Sequence, residues 1–170
     1  MIGRRRDPLA DPEPLIRRVY AYVAFRLGDG PEAEDVTSDV FERAVRYRAS
    51  YDPARGDPIA WVIGIARHAI DDSHARTVRR ATEAPETPTS GDLEEAVIRR
   101  MSLASAIEQL GDRDRELITL RYGADLSAAQ IGALLDLRTN AVEVALHRAL
   151  DRLRSTIDAD EGVRKDVRNR

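Results

Sequence analysis

Apolar residues recur at helical spacing along almost all of the 170 residues, and period-two alternation is rare, so the pattern predicts an all-α chain. A proline-rich lead (Pro8, Pro12, Pro14), expected to be disordered over 1–13, precedes a helix with the stripe Leu15, Val19, Tyr22, Val23 and Leu27. Gly28 and Gly30 interrupt the chain, and Pro31 opens a second helix at the position where proline is tolerated. Glu32, Glu34 and Asp35 suit the positive end of that helix's dipole, and Val36, Val40, Phe41 and Ala44 form its apolar face. The turn formers of 51–56 follow, and Asp57-Pro58 supplies an N-cap and a first-turn proline for a third helix. This helix carries two stripes. Ile59, Val62, Ile63, Ala66, Ala69 and Ile70 make one; Trp61, Ile65, His68 and Asp72 make another, so it requires neighbours on two sides.

Residues 81–91 lack apolar periodicity and contain Pro85 and Pro88, which reads as a flexible linker. Beyond it, Asp92 and Glu95 form a variant capping box for a helix that stops at Gly111. Helices are then expected over 112–122, closed by Gly123, over 127–135 and over about 139–157, with a frayed tail at 158–170. The chain therefore divides into a lead (1–13), a helical domain (14–80), a linker (81–91), a second helical domain (92–157) and a disordered tail, each domain with its own small core. Only Asp136-Leu137-Arg138 separates the last two helices, which is helix-turn-helix spacing. Ser127 and Gln130 form a capping box, Gly132 allows close approach, and Asp136 suits a left-handed bend. Thr139 or Asn140 caps the second helix and exposes the N-terminal turn that meets base edges when such a helix enters a major groove. An ordinary αα-hairpin is the competing reading.

Charge changes this picture less than its sum suggests. The net charge is −3, but residues 1–80 hold 14 arginines against 13 acids, 81–110 hold 2 against 6, and 111–170 hold 11 bases against 11 acids. The acidic excess thus lies mostly in the middle of the chain. Lys165 is the only lysine; an arginine-dominated basic set suits bidentate phosphate contacts and also follows from GC-rich coding. The absence of cysteine excludes disulfides and thiolate metal sites. No apolar run has the length of a membrane span, so no membrane insertion and a cytoplasmic location are expected. A metal site from His68, Asp71, Asp72 and His74 fails on helical geometry, because His74 lies off the face shared by His68 and Asp72. With no glycine-rich phosphate loop and no nucleophile–base pair, neither catalysis nor a cofactor is expected.

Residues 126–150, which include the run Leu146-His147-Arg148-Ala149, resemble region four of bacterial sigma factors. Residues 34–44 resemble the polymerase-binding helix of region two, and Tyr51-Asp52-Pro53 through Trp61 to His68 resemble its DNA-melting part. Two such regions joined by a short linker, without a region three, are the layout of the extracytoplasmic-function (ECF) sigma factors. The resemblance implies a specificity subunit for core RNA polymerase, with promoter DNA as its target, and an anti-sigma factor as a common further partner. It implies that Asp35, Asp39, Glu42 and Arg43 present a docking face to polymerase. It also implies that Tyr51, Arg55, Trp61, Arg67 and His68 capture unstacked bases of the downstream (minus-10) element, while Arg76, Arg79 and Arg80 grip phosphates. For Trp61 a core position is the competing reading. Gly64 and Ser73 stand where relatives often carry basic residues. Contacts to the upstream (minus-35) element fall to Arg138, Thr139, Asn140, Glu143, His147 and Arg148. Glu143 and Ala145 occupy positions where relatives often carry Lys and Arg, a change that either redirects specificity, since glutamate accepts from cytosine N4, or weakens DNA binding. Two other readings remain open at this level: a helix-turn-helix regulator acting without polymerase, and a sigma-like protein working mainly by protein contacts.

Overall fold

A computed structural model describes residues 7–81, 103 and 105–168, and every regular element among them is helical. Helix α1 spans Pro12–Leu27, α2 Pro31–Tyr47 and α3 Pro58–Ala81, with a 3-10 turn at Arg48–Ser50 before α3. Pro12 and Pro31 stand at the starts of α1 and α2, where a missing N–H costs nothing. The lead is ordered earlier than expected. The Asp7 side chain accepts from Leu9 N at 3.0 Å, its carbonyl accepts from Ala10 N at 3.2 Å, and Leu9 packs against the core, which together fix the approach to α1. The three helices pack pairwise, burying Val19, Tyr22 and Val23 of α1 against Val36 and Val40 of α2 and Val62 and Ile63 of α3.

The second module contains α4 (Asp112–Ile118), a π-helical turn (Thr119–Gly123), α5 (Ala128–Leu135) and α6 (Thr139–Arg168). Of the preceding expected helix, 105–108 is helical, while its Asp92–Glu95 cap and the expected linker beyond Ala81 lie outside the described residues. The carbonyls of Ile107 and Leu110, at the end of that short stretch, accept from the Arg115 guanidinium at 3.2 and 2.9 Å. The tail expectation is corrected: α6 does not fray after Ile157 but continues to Arg168. Residues 158–168 contain no proline, and acids precede bases by four positions at 160/164 and 161/165, the orientation that favours a helix.

The helix-turn-helix follows from local chemistry. Ser127 Oγ accepts from Gln130 N at 3.2 Å and Gln130 Oε1 accepts from Ser127 N at 2.8 Å, completing the capping box. Asp136 adopts φ 56, ψ 47, and a Cβ on Gly132 would lie 2.6 Å from the Leu137 carbonyl oxygen, so the bend between α5 and α6 closes only around glycine.

The expectation of two separate cores is also corrected. Leu117, Leu120, Leu126 and Ile131 of the second module belong to the same buried cluster as Tyr22, Val23, Val62 and Ile63 of the first. A smaller cluster of Ala106, Ile107, Leu110, Ile118, Ala149 and Leu153 completes the second module alone. The merger has a sequence basis: the second stripe of α3 finds its neighbour in α5, where the Cβ position of Gly64 lies 3.7 Å from Leu134 Cδ1. Among the described residues no helix is long and apolar enough to cross a membrane.

Candidate nucleic-acid interfaces

The first residues of α6 project outward. Arg138, Thr139, Asn140, Glu143, His147 and Arg148 are all exposed, with Val142, Leu146 and Ala149 anchoring the opposite face in the core. Arg138, Asn140 and Arg148 line a groove of about 500 Å³ together with Arg113 and Arg152, two arginines that sequence reasoning missed. Arg152 follows Arg148 by one helical turn and was findable from spacing; its guanidinium pairs with Asp114, the residue after Arg113. Arg113 comes from α4 and reaches the groove only through the tertiary fold. Glu143 and His147 lie on the adjoining stripe rather than in the groove, and His147 Nε2 stands 3.5 Å from Asp151. The floor of the groove includes Ala141 and Val144, an apolar strip between cations, a combination suited to phosphate and base-edge contact.

A second cleft, of about 660 Å³, gathers Tyr51, Arg55, Trp61 and His68 around the 51–57 loop and the first turns of α3. Tyr51 is buried, its hydroxyl donates to Gly56 O at 3.0 Å, and its ring lies 5.6 Å from that of Trp61 at a 58° tilt. Trp61 is half-buried against the core while bordering the cleft, so the core and site readings of this residue describe its two sides. The opposite wall is α5: Ala133 and Leu134 border the cleft, and Gln130 Nε2 donates to Asp57 Oδ2 at 2.7 Å. The Asp57 carboxylate therefore docks the second module, while its carbonyl accepts the early helical bond from Trp61 N at 3.2 Å.

Arg67 does not join this cleft. Its Nε lies 2.9 Å from Glu116 Oε1, across the boundary between the modules. Glu116, its side chain only 14% exposed, also binds Arg26 and accepts from the Tyr22 hydroxyl at 3.1 Å. Burial first, and then the Glu116 charge, push the Tyr22 phenol well above its ordinary range, so it remains a donor. Arg76 is exposed on α3, and Arg79 and Arg80 follow on its last turn with their side chains outside the described residues.

On α2, Asp35 and Glu42 are exposed, and Glu42 pairs with Arg46 at 2.7 Å. Asp39 and Arg43 are engaged differently: Arg43 lies 2.8 Å from Asp39 and 2.8 Å from Asp72 of α3, and these two carboxylates hold its guanidinium firmly charged. The pair brackets α2 to α3.

Fold and grooves define the class: a two-module helical protein whose second module is a helix-turn-helix unit with an outward, arginine-lined groove. Comparison narrows the class. The Sigma-70 region 2 family model matches residues 13–80, and the Sigma-70, region 4 model matches residues 100–153. The chain is 31% identical over 91% of its length to the ECF RNA polymerase sigma factor SigD of Mycobacterium tuberculosis, covering 77% of that protein. It is 28% identical over 93% of its length to the ECF RNA polymerase sigma factor BldN of Streptomyces coelicolor, of which it spans 61%. The sigma factor RpoE of Bartonella quintana, solved with the anti-sigma factor NepR, shares its fold with a TM-score of 0.62 at 18% identity, covering 86% of this chain and 93% of that one. The chain belongs to the ECF RNA polymerase sigma factors.

Proposed function

We propose that the chain binds core RNA polymerase and directs promoter-specific initiation, the first module recognising and melting the minus-10 element and the second reading the minus-35 element. The observation that carries this reading is the outward groove on α6, joined in one short chain to a region-two module with its own aromatic and basic cleft. In the upstream complex, Arg138 and Asn140 meet base edges at the helix start, Thr139, His147 and Arg148 add polar contacts, and Arg113 and Arg152 hold phosphates. Glu143, beside the groove, selects against bases with no donor in reach.

At the downstream element, Trp61 and His68 offer stacking surfaces for unstacked bases, Tyr51 supports the Trp61 ring, and Arg55, Arg67, Arg76, Arg79 and Arg80 supply cationic contacts. Asp35 and Glu42 meet polymerase directly. Asp39 and Arg43 hold the docking helix in place. Catalysis belongs to polymerase, and the chain acts in the cytoplasm, where promoter DNA is found. A protein antagonist of the anti-sigma kind is a further partner; NepR plays that part for the structural relative.

Reconstituted transcription with core polymerase on a promoter library tests the reading. Transcripts starting at a defined subset of promoters are expected. Tight operator binding without polymerase, and no directed initiation with it, would instead identify a helix-turn-helix regulator.

A further inference from the structure

The groove on α6 contains one carboxylate among its arginines. Asp114 of α4 lies in the lining with Arg113, Arg138, Arg148 and Arg152, and no other acid among the described residues shares it. In a groove that receives DNA, a negative charge is unfavourable on Coulomb grounds alone. Its geometry gives it a use. Asp114 Oδ2 accepts from Arg152 Nη1 at 2.5 Å, with the Asp114 side chain 17% exposed and that of Arg152 59%. The acid is set into the wall, and the guanidinium stands in the opening.

Arginine carries five N–H donors in a planar fork. The bond to Asp114 uses Nη1, and the opposite edge, Nε and Nη2, has no protein partner among the described residues. That edge can take two oxygens of a phosphate side by side. Position along the helix also selects the phosphate. Arg152 lies roughly 21 Å beyond Arg138 at about 1.5 Å per residue, whereas a major groove is only about 12 Å wide. A helix whose first turns meet base edges therefore brings Arg152 to the DNA backbone. Apolar packing beneath fixes the register of the two helices independently: Ile118 of α4 packs in one cluster with Ala149 and Leu153, which flank Arg152 in sequence. The ion pair thus orients a side chain rather than holding the helices together.

We infer that Asp114 is a positioning residue, which holds the Arg152 guanidinium with its free edge turned toward a backbone phosphate, so that the side chain is ordered before the DNA arrives. The DNA-facing role rests on the proposed reading of this groove. The orientation rests on the ion pair itself.

The two possible roles of the carboxylate predict opposite signs. If it acts only through its charge, removing it strengthens DNA binding; if it positions Arg152, removing it weakens binding. Phosphate contact is independent of sequence, so binding of a mixed-sequence duplex to the full chain at low salt, followed by fluorescence anisotropy, reads it. Asp114→Ala is expected to bind about three- to tenfold more weakly. The slope of log affinity against log salt should fall by about 0.9, the contribution of one phosphate. Asp114→Asn, which keeps an acceptor oxygen at the same reach, should recover most of the loss. Arg152→Ala should lose the same slope, and adding Asp114→Ala to it should weaken binding no further.

Binding by Asp114→Ala equal to or tighter than native overturns the inference. So does an unchanged slope in either alanine variant, further weakening in the double variant, or no duplex binding by the native chain. Circular dichroism identifies a variant that has failed to fold. Should that be Asp114→Ala, the other two single variants decide: tighter binding by Asp114→Asn, or an unchanged slope in Arg152→Ala, overturns the positioning, whereas native-like affinity in the first with a reduced slope in the second upholds it. None of these measurements uses polymerase, so a failure to direct initiation would count against the proposed function and leave the positioning intact.

Discussion

Asp136 holds a left-handed backbone, φ 56 and ψ 47, that costs an L-residue roughly 1–2 kcal/mol. Asp136→Gly should therefore leave stability unchanged or raise it by up to about 1 kcal/mol, and Asp136→Val should lower it by about 1–2 kcal/mol, both read from urea midpoints. Gly132→Ala should cost about 1–3 kcal/mol in the same assay, because the new methyl meets the Leu137 carbonyl at 2.6 Å and backbone must yield. Glu143→Lys should change the preferred upstream element or steepen the salt dependence of promoter binding; if selection from a randomised upstream element and a salt titration both match the native chain, Glu143 makes no DNA contact. The bend residues were legible in sequence because their chemistry is local: a capping box spans three positions and a left-handed Asp one. Glu116 was illegible for the opposite reason. Its partners Arg26 and Tyr22 lie 90 and 94 positions away, and no periodicity connects them.

At the scale of elements, α2 is held to α3 by Arg43 between Asp39 and Asp72. Arg43→Ala leaves a poorly solvated Asp39 carboxylate without its cation and should lower stability by about 1–2 kcal/mol. Glu42→Ala breaks only an exposed pair and should alter stability by less than about 0.5 kcal/mol while weakening affinity for core polymerase. Thermal melts combined with polymerase titration separate the two roles. The resemblance to region two assigned Asp35, Asp39, Glu42 and Arg43 to one docking face; nothing in the sequence could show that Asp72 reaches across to claim one of them. The π-helical turn at Thr119–Gly123 was equally hidden, since apolar periodicity predicted an uninterrupted helix to Tyr122. The turn brings Gly123 against α1, a demand from the tertiary fold rather than from its own residues.

At the scale of the whole molecule, helix class, element order and the helix-turn-helix were all readable, because each follows from local periodicity and caps. The merger of two modules around one core was not. The second stripe of α3 announced a missing neighbour without saying that α5 would supply it. A shared core predicts that the native chain melts in a single calorimetric transition, and that Glu116→Arg resolves it into two as the modules uncouple. Because one apolar core runs beneath both, the Trp61 cleft and the α6 groove keep a fixed separation while the modules stay packed, and on the proposed reading that span has to match the distance between the two promoter elements or change when polymerase binds.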